Sequence, residues 1–400
     1  MVDGKLCRTH LRNLWRRLIL LGRNHLISLN FKNTPKTCLP SSLKMQTPQS
    51  PLRTLHVFNP SHDEALAAGT PYYYPSVIAR KLASAWALLP ALWAKAGDVV
   101  WVPNDVATTP VPDWASHVTL LHQSEFNGAF WQTIGNISPW GWDALIHQQL
   151  SKAGAPSTLL PSADAIAHVR QLSSRHTTSR VLPLLHQLLR SQGIDTVGAS
   201  HIATSWTDVT HFISQHPHAM AKALWSCSGR GVFRVSNPMS ESCMGRVKRL
   251  LREQGGIELE PLYHSIMDFA LEFEAHPDGR VTYVGVSLFH TTLNGGYSGN
   301  IIAPQATLQQ QLPFSAATLH TLAEACCTAL SQVIDGKYVG CLGIDMMWAT
   351  DATHPEPCLH PCIEVNVRRT MGQVAIDVEK RCATSIPTCF SQLFHVETPI

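Results

Sequence analysis

Two acidic residues and an asparagine lie on a pair of apolar segments near the C-terminal end of the chain. Asp345 belongs to segment 343–348, and Glu364 and Asn366 belong to segment 363–367. Residues i and i+2 of a strand project from the same face. Carboxylate and amide oxygens are hard ligands that suit Mg²⁺ bridged to phosphate groups. The alternative is the solvent-facing side of a sheet, but an unpaired carboxylate is costly to bury in an apolar strand.

Two arginines follow these ligands directly. Arg368 and Arg369 come immediately after Val367. A guanidinium group grips phosphate or carboxylate through two parallel hydrogen bonds. We therefore predict that both arginines act on the reacting groups.

A lysine and a flexible loop provide a second place where phosphate could bind. Lys222 lies near the end of the apolar strand 219–224, just before a loop rich in serine and glycine. Such a loop lets backbone N–H groups approach phosphate oxygens closely, and the lysine adds a compact positive charge. It is not a P-loop, and an ordinary hairpin turn is the alternative. The predicted phosphate-binding residues are Lys222, Ser226, Ser228, Gly229, Arg230 and Gly231.

A third segment has the form of a binding site for a flat ring. The apolar strand 257–260 ends at Glu260 and runs into Pro261 and Leu262. An extended segment of this kind offers backbone N–H and C=O groups to an adenine edge. An edge strand that turns a corner is the alternative.

The elements that must position these residues fall into two patterns. In the first part, strand 55–58, a helix over 76–96 that Pro90 should kink or divide, and strand 98–103 predict a parallel, Rossmann-like sheet. No G-x-G-x-x-G follows the first strand, so a dinucleotide site has no support. Later elements alternate as in an α+β fold. Helices are predicted over 162–192, 207–216 (with Thr207 as N-cap), 246–254 and 319–334, and a further helix at the end of the chain. Strands 268–275 and 281–289 are predicted on either side of a turn at Asp278.

The order of these segments resembles the ATP-grasp superfamily over residues 175–380: Lys222 with its loop, Glu260-Pro-Leu-Tyr, Gly-Ile-Asp345, then Glu364-Val-Asn366. The resemblance implies α/β plus α+β architecture, in which an N-terminal Rossmann-like parallel sheet precedes a two-subdomain ATP-grasp fold. The implied divisions are a poorly ordered basic extension (1–50), a Rossmann-like pre-ATP-grasp domain (51–170), a first subdomain (171–262) and a second subdomain with the metal site (263–400).

The resemblance also implies a function. ATP would lie between the two subdomains, with Lys222 on its phosphates and the residues around Glu260 and Leu262 at its adenine. Family members typically activate a carboxylate as an acyl phosphate, which an amine or a thiol then captures. A small-molecule kinase and a nucleotide-binding regulatory protein without turnover are the alternatives. A further phosphate-binding residue is usual upstream, and Arg175 and Arg180 are the candidates.

Three polar stretches leave alternatives open. Residues 291–300 form either part of the acceptor-substrate site or a flexible surface loop. Residues 354–362 hold two Cys and two His, which form either a zinc site or, as we favour, the loop that leads into Glu364. Residues 59–64 follow the first strand, where α/β folds bind ligands, and form an acceptor site, a nucleophilic dyad or a plain helix N-cap.

Composition narrows the class of protein. The formal net charge is +3, but nine Lys/Arg fall within residues 1–44, and the remaining 22 basic and 27 acidic residues make the body mildly acidic. Nucleic acid is therefore not an expected partner, and no apolar run is long enough to span a membrane. Eleven irregularly spaced cysteines are typical of reduced thiols in a cytoplasmic protein. We expect small-molecule substrates, with ATP and Mg²⁺ as cofactors.

Overall fold

Strand β1 (Arg53–Val57) lies inside a four-stranded parallel sheet in the computed structural model, which describes residues 52–226, 231–291, 297–351, 354–382 and 394–396. The chain moves outward through β2 (Val99–Trp101) and β3 (Thr119–Leu121), then returns to place β4 (Ile134–Pro139) on the other side of β1. The predicted Rossmann-like parallel sheet is confirmed. The strand order reverses between β1 and β4, and ligands of α/β folds bind at the carboxyl ends of such strands.

Short helices surround this sheet. The single helix predicted over 76–96 ends at Ala85, and Pro90 lies at the start of a separate 3-10 segment, since proline has no N–H to continue an α-helix. The helices are α1 (His62–Ala68), α2 (Val77–Ala85), α3 (Gly128–Trp131) and α4 (Ala144–Lys152), and the 3-10 segments are Leu89–Leu92, Asp113–Ala115, Gln123–Glu125 and Ser157–Leu159.

Two helices connect the parallel sheet to the rest of the chain. The helical region predicted over 162–192 divides into α5 (Ala163–Leu172) and α6 (Arg175–Arg190). Ser174 adopts an extended conformation with φ −84° and ψ 157°, which a helix interior does not allow. The N–H of Arg175 then donates to the carbonyl of Leu224 at 3.0 Å. The break at Ser174 therefore holds Arg175, the first residue of α6, against Leu224 at the end of the predicted strand 219–224.

A four-stranded antiparallel sheet follows, with strand order β5, β8, β6, β7. Two helices pack on it through an apolar core that includes Val209, Phe212 and Val247. The first of them has Ser205 as its N-cap, whose Oγ accepts from the N–H of Asp208 at 3.1 Å, so the prediction of Thr207 was wrong by two residues. The elements are β5 (His201–Ala203), α7 (Trp206–Gln215), β6 (His218–Ala223), β7 (Val232–Ser236), α8 (Glu241–Gln254) and β8 (Ile257–Pro261).

The third sheet has six strands and packs on the largest apolar core, which it shares with α6. The two long strands predicted around the turn at Asp278 are confirmed. After the last described helix, the chain adds an edge strand where only a terminal helix was expected, because pairing with a distant strand leaves no local sequence signal. The elements are β9 (His264–Ala275), β10 (Val281–Thr291), β11 (Tyr297–Ile302), α9 (Gln305–Gln311), α10 (Ala316–Ile334), β12 (Gly340–Thr350), β13 (Cys358–Asn366), α11 (Met371–Cys382) and β14 (Phe394–Val396).

Several sequence predictions fall outside the described residues. They include the basic extension of residues 1–50, segment 292–296 of the polar stretch, and Ser228, Gly229 and Arg230 of the predicted phosphate loop. In the part of the chain that the structure does describe, no helix has the length and apolar content needed to cross a membrane.

Candidate active site

Lys222 and Glu260 meet on neighbouring strands of the second sheet. The Lys222 ammonium lies 2.7 Å from Oε2 of Glu260, and both side chains are buried. Glu258 pairs directly with Lys222 in the β6–β8 register and is fully buried, with Oε2 at 4.0 Å from the same ammonium. Glu258 was not predicted, although its spacing of two residues from Glu260 is the same signal that identified Glu364 and Asn366.

Arg175 joins the second sheet to the third. From the start of α6, its Nη2 reaches Oε2 of Glu364 at 2.7 Å, and its Nε lies 3.7 Å from Glu258. Its Nη1 donates to the carbonyl of Ile363 at 3.2 Å, a carbonyl that Lys222 also approaches at 3.4 Å. Arg180, the other candidate, is exposed. The structure therefore places Arg175, and not Arg180, among the predicted site residues.

The three predicted magnesium ligands are adjacent. Asp345 and Glu364 are paired across β12 and β13, and the Asn366 amide nitrogen donates to Oδ2 of Asp345 at 3.1 Å. This bond leaves the Asn366 carbonyl oxygen as a hard donor beside two carboxylates. Such a set fits Mg²⁺, which commonly takes one or two carboxylates and completes its shell with water and phosphate oxygens.

Carboxyl groups outnumber cationic side chains in this cluster. Arg175 and Lys222 face four carboxylates, those of Glu258, Glu260, Asp345 and Glu364. Burial raises the pKa of Asp345 to about 7, and repulsion from Glu364 contributes to the rise. Burial also raises the pKa of Glu260, although Lys222 works against it. A divalent cation would relieve this excess of carboxylates.

The two predicted arginines have different surroundings. The Nε and Nη2 of Arg368 donate to the two carboxylate oxygens of Asp63 at 3.1 and 3.2 Å. Arg369 donates to Asp377 at 2.7 Å, and its guanidinium carbon lies 4.6 Å from the ring centre of Trp93. Of the two, Arg368 is also one of the positive charges that lower the pKa of Asp345. The catalytic role of Arg369 stays a prediction, and this structure places its side chain in a separate ion pair.

The adenine segment adjoins the same cluster through Glu260, and the two described residues of the predicted loop, Ser226 and Gly231, lie close to each other. Ser226 packs against Gly231, where an added Cβ would lie 2.3 Å from that of Ser226. The backbone N–H of Leu262 donates to the carbonyl of His218 at 3.1 Å. This N–H is therefore used within the sheet, and an adenine ring would need another group of the segment.

Glu272 is a buried acid that was not among the predicted site residues. It lies on β9 opposite Gly343 and is 1% exposed. Its carboxylate accepts hydrogen bonds from the hydroxyls of Ser287 at 3.0 Å and Thr370 at 2.7 Å. Burial raises its pKa to about 7. The signal was available, since an acid within an apolar strand is the feature that identified Asp345.

The Cys/His stretch before Glu364 forms the approach to β13 and its first half. His360 and Cys362 are buried within the strand, and Cys358 Sγ lies 3.3 Å from the carbonyl oxygen of Asp195. Across all described residues, no group of three or more His, Cys, Asp or Glu is arranged to hold a metal ion. This geometry favours the alternative of a hairpin that leads into Glu364.

Comparisons with known proteins give distant similarities of fold. No protein-family model and no curated protein matches the sequence. Among solved structures, the chain is similar to N5-carboxyaminoimidazole synthetase from Staphylococcus aureus complexed with ADP, at 13% identity over 85% of this chain and 80% of that chain, with a TM-score of 0.44. It is also similar to a biotin carboxylase–β,γ-ATP complex from Campylobacter jejuni, at 14% identity over 85% and 73% with a TM-score of 0.47. D-cycloserine synthetase is similar at 13% identity over 81% and 97%, with a TM-score of 0.41.

Proposed function

We propose that this protein is an ATP- and Mg²⁺-dependent ligase of the ATP-grasp superfamily that activates a carboxylate for attack by an amine or a thiol. One observation carries the proposal. Lys222 and Arg175 converge with the carboxylates of two different sheets in a single cluster. A site that combines phosphate-binding cations with hard metal ligands suits phosphoryl transfer, where catalysis is largely positioning and electrostatic stabilisation.

Asp345, Glu364 and Asn366 would hold Mg²⁺ in this proposal. The bound metal would neutralise charge that develops on the phosphate oxygens during transfer. The residues fit this task because the two carboxylates are paired across neighbouring strands, with the Asn366 amide bonded to one of them. Arg175 lies 2.7 Å from Glu364 and would hold that carboxylate in place for the metal.

Lys222 and Arg175 would bind the phosphates of ATP. Both side chains are buried and already paired with carboxylates. Phosphate oxygens would draw on donors that are fixed in place before binding, which lowers the cost of ordering them. Ser226, Gly231 and the loop residues between them would cover the phosphates, and the segment from Glu260 to Leu262 would border the adenine ring.

The proposed reaction has two steps. An oxygen of the substrate carboxylate attacks the γ-phosphorus of ATP, the bond from that phosphorus to the bridging oxygen breaks, and ADP leaves with the electron pair. The amine nitrogen or thiol sulfur then attacks the acyl carbon. The bond from that carbon to the phosphate oxygen breaks, inorganic phosphate leaves, and the nucleophile gives up its proton. Arg368 would orient the carboxylate for the first step.

We extend the proposal to the division of the chain. The parallel sheet within 51–170 would be the pre-ATP-grasp domain, and the two antiparallel sheets would be the cores of the subdomains 171–262 and 263–400. The second and third sheets supply opposite sides of the charged cluster. This arrangement is what a nucleotide cleft between two subdomains requires.

Product analysis tests the proposal without knowledge of the natural nucleophile. The full chain is incubated with Mg²⁺, ATP and a panel of carboxylates, with hydroxylamine as a nucleophile that converts acyl phosphates to hydroxamates. A ligase gives equal amounts of ADP, phosphate and hydroxamate. A stable phosphorylated product without free phosphate would identify a kinase, and nucleotide binding without turnover of any panel member would identify a regulatory protein.

A further inference from the structure

The carboxyl ends of β1 and β4 lie side by side where the strand order of the parallel sheet reverses. In open α/β sheets, ligands bind at this position because the connections leave the two strand ends in opposite directions. Residues 59–63 follow β1, and residues 140–143 follow β4. The segment that follows β13 lies beside these strand ends, since the N–H of Arg369 donates to the carbonyl of Trp140 at 3.0 Å.

A buried polar network makes the loop after β1 rigid. The Asn59 amide donates to the carbonyl of Gly141 at 2.8 Å and to Asp143 at 3.1 Å. His62 Nδ1 lies 3.1 Å from the same Asp143 oxygen, and the His62 ring is 1% exposed. The other Asp143 oxygen accepts the N–H groups of Leu145 and Ile146 at 2.8 and 2.9 Å. The residue next to His62 is therefore presented from a fixed backbone, as a binding site requires.

That residue is Asp63, and its partner is Arg368. Two parallel hydrogen bonds of 3.1 and 3.2 Å join the side chains, which are 21% and 20% exposed. Solvent therefore reaches both members of the pair. Arg368 follows the metal-ligand candidate Asn366 by two residues. A carboxylate held by Arg368 in place of Asp63 would lie beside the metal ligands.

We propose that Asp63 and Arg368 bind the two charged ends of an amino acid, whose carboxylate is the group that is activated; this inference rests on the proposed ligase function. A molecule that carries one ammonium and one carboxylate can enter between the two side chains and replace one ion pair with two. Neither Asp63 nor Arg368 is then left unpaired, so the cost of separating them is offset. A substrate with only one charge would replace the Asp63–Arg368 ion pair with a single new one.

The charges assign the role of each end. The carboxylate on Arg368 attacks the γ-phosphorus, as in the first step above. The ammonium on Asp63 stays protonated, because an adjacent carboxylate favours its charged form. It therefore has no lone pair for the second step, and the amine or thiol that captures the acyl phosphate comes from another molecule.

The hydroxamate assay with Mg²⁺, ATP and hydroxylamine tests this inference. The substrates are the protein amino acids in L and D forms, their amides, which lack the carboxylate, and their deaminated acids, which lack the ammonium. Hydroxamate is expected only from compounds that carry both groups. Asp63→Asn should raise KM for the amino acid about 10- to 100-fold, as expected for loss of a hydrogen bond between charged groups. Affinity for MgAMP-PNP should not change.

Two controls separate binding from a structural role of the ion pair. Asp278→Asn, in an exposed turn, makes the same chemical change elsewhere and should leave KM unchanged. The double variant Asp63→Arg with Arg368→Asp rebuilds the pair with reversed charges. It should recover the stability of the wild type but not its turnover, and recovery of turnover would overturn the inference.

Other outcomes identify which claim fails. Equal turnover of the deaminated acids, or an unchanged KM in Asp63→Asn, would overturn the amino-acid assignment and leave the ligase function standing. A wild-type protein that does not bind MgAMP-PNP would overturn the proposed function itself.

Discussion

Glu364 links the cationic side chains of the charged cluster to its metal-ligand candidates. It contacts Arg175 at 2.7 Å and pairs with Asp345 across the strands. Glutamine at this position keeps the size of the side chain and removes the charge that Mg²⁺ needs. We expect Glu364→Gln to lower Mg²⁺-dependent ADP release by at least about 10- to 100-fold. This is the range for residues that hydrogen-bond to a metal ligand, and loss of a ligand itself should cost no less. Circular dichroism should show an intact fold.

The matched control for this change is Glu253→Gln, which removes a carboxylate from an exposed position on α8. It should retain wild-type ADP release. Full activity in Glu364→Gln would be evidence that the metal lies elsewhere.

Glu272 makes stability depend on pH. Its pKa is raised to about 7 by burial, whereas in the unfolded chain it titrates near about 4.3. The folded state therefore binds a proton that the unfolded state releases, so the stabilisation is present at low pH and is lost as the pH rises through about 7. Because Glu272→Gln stays neutral, the wild type should lose about 2 kcal/mol relative to this variant between about pH 5 and pH 8.

Urea unfolding without Mg²⁺, at several pH values, measures this difference. Glu253→Gln provides the control, because it makes the same chemical change at an exposed position on α8. Parallel curves for the wild type and Glu272→Gln would show that the buried carboxyl does not titrate in this range.

At the residue scale, the sequence predicted the side chains whose type is unusual for their place. Asp345 and Glu364 stand out in apolar strands, and Lys222 stands out before a glycine-rich loop. The sequence does not distinguish Arg175 from Arg180, because both lie on one helix. Only the contacts of Arg175 with Leu224 and Ile363 distinguish them.

The connection from β4 to α4 shows how one element holds another. At Gly141, an added Cβ would lie 2.5 Å from Nε2 of His62, which is closer than nonbonded atoms approach. Gly141→Ala should therefore displace the His62 ring from Asp143. We expect the free energy of unfolding to fall by about 1–3 kcal/mol, the usual cost of overpacking a buried site, and urea unfolding measures it.

Gly245→Ala is the matched control for Gly141→Ala. Gly245 is exposed within α8, and a Cβ there meets nothing within 4 Å. The free energy of unfolding should rise by about 0.5–1 kcal/mol, because alanine suits a helix interior better than glycine. If Gly141→Ala were as stable as the wild type, the close packing of His62 on this turn would be disproved.

At the element scale, periodicity predicted the main helices and strands, and tertiary contacts decided their ends. The region over 162–192 has one continuous helical pattern, but the break at Ser174 follows from the bond between Arg175 and Leu224. Strand β14 has no strong pattern of its own and forms by pairing with β11. Both features depend on partners that are distant in sequence.

At the scale of the whole molecule, the charged cluster depends on pairs that no local pattern reveals. Arg175 and Glu364 are 189 positions apart by their numbers, and Arg368 and Asp63 are separated by 305. The sequence placed Asp63 and Arg368 in different candidate sites. Only the contacts of the loops after β1 and β4 with the segment after β13 bring them together, and the proposal of an amino-acid substrate follows from that ion pair.

We propose that the cluster around Lys222, Arg175, Asp345 and Glu364 binds ATP together with Mg²⁺. Calorimetric titration of the full chain with AMP-PNP, first with Mg²⁺ and then with EDTA, measures this binding. We predict one bound nucleotide per chain in the presence of Mg²⁺ and weaker binding once the metal is removed, because the excess carboxylates then repel the phosphates. No nucleotide binding in the presence of Mg²⁺ would contradict the claim.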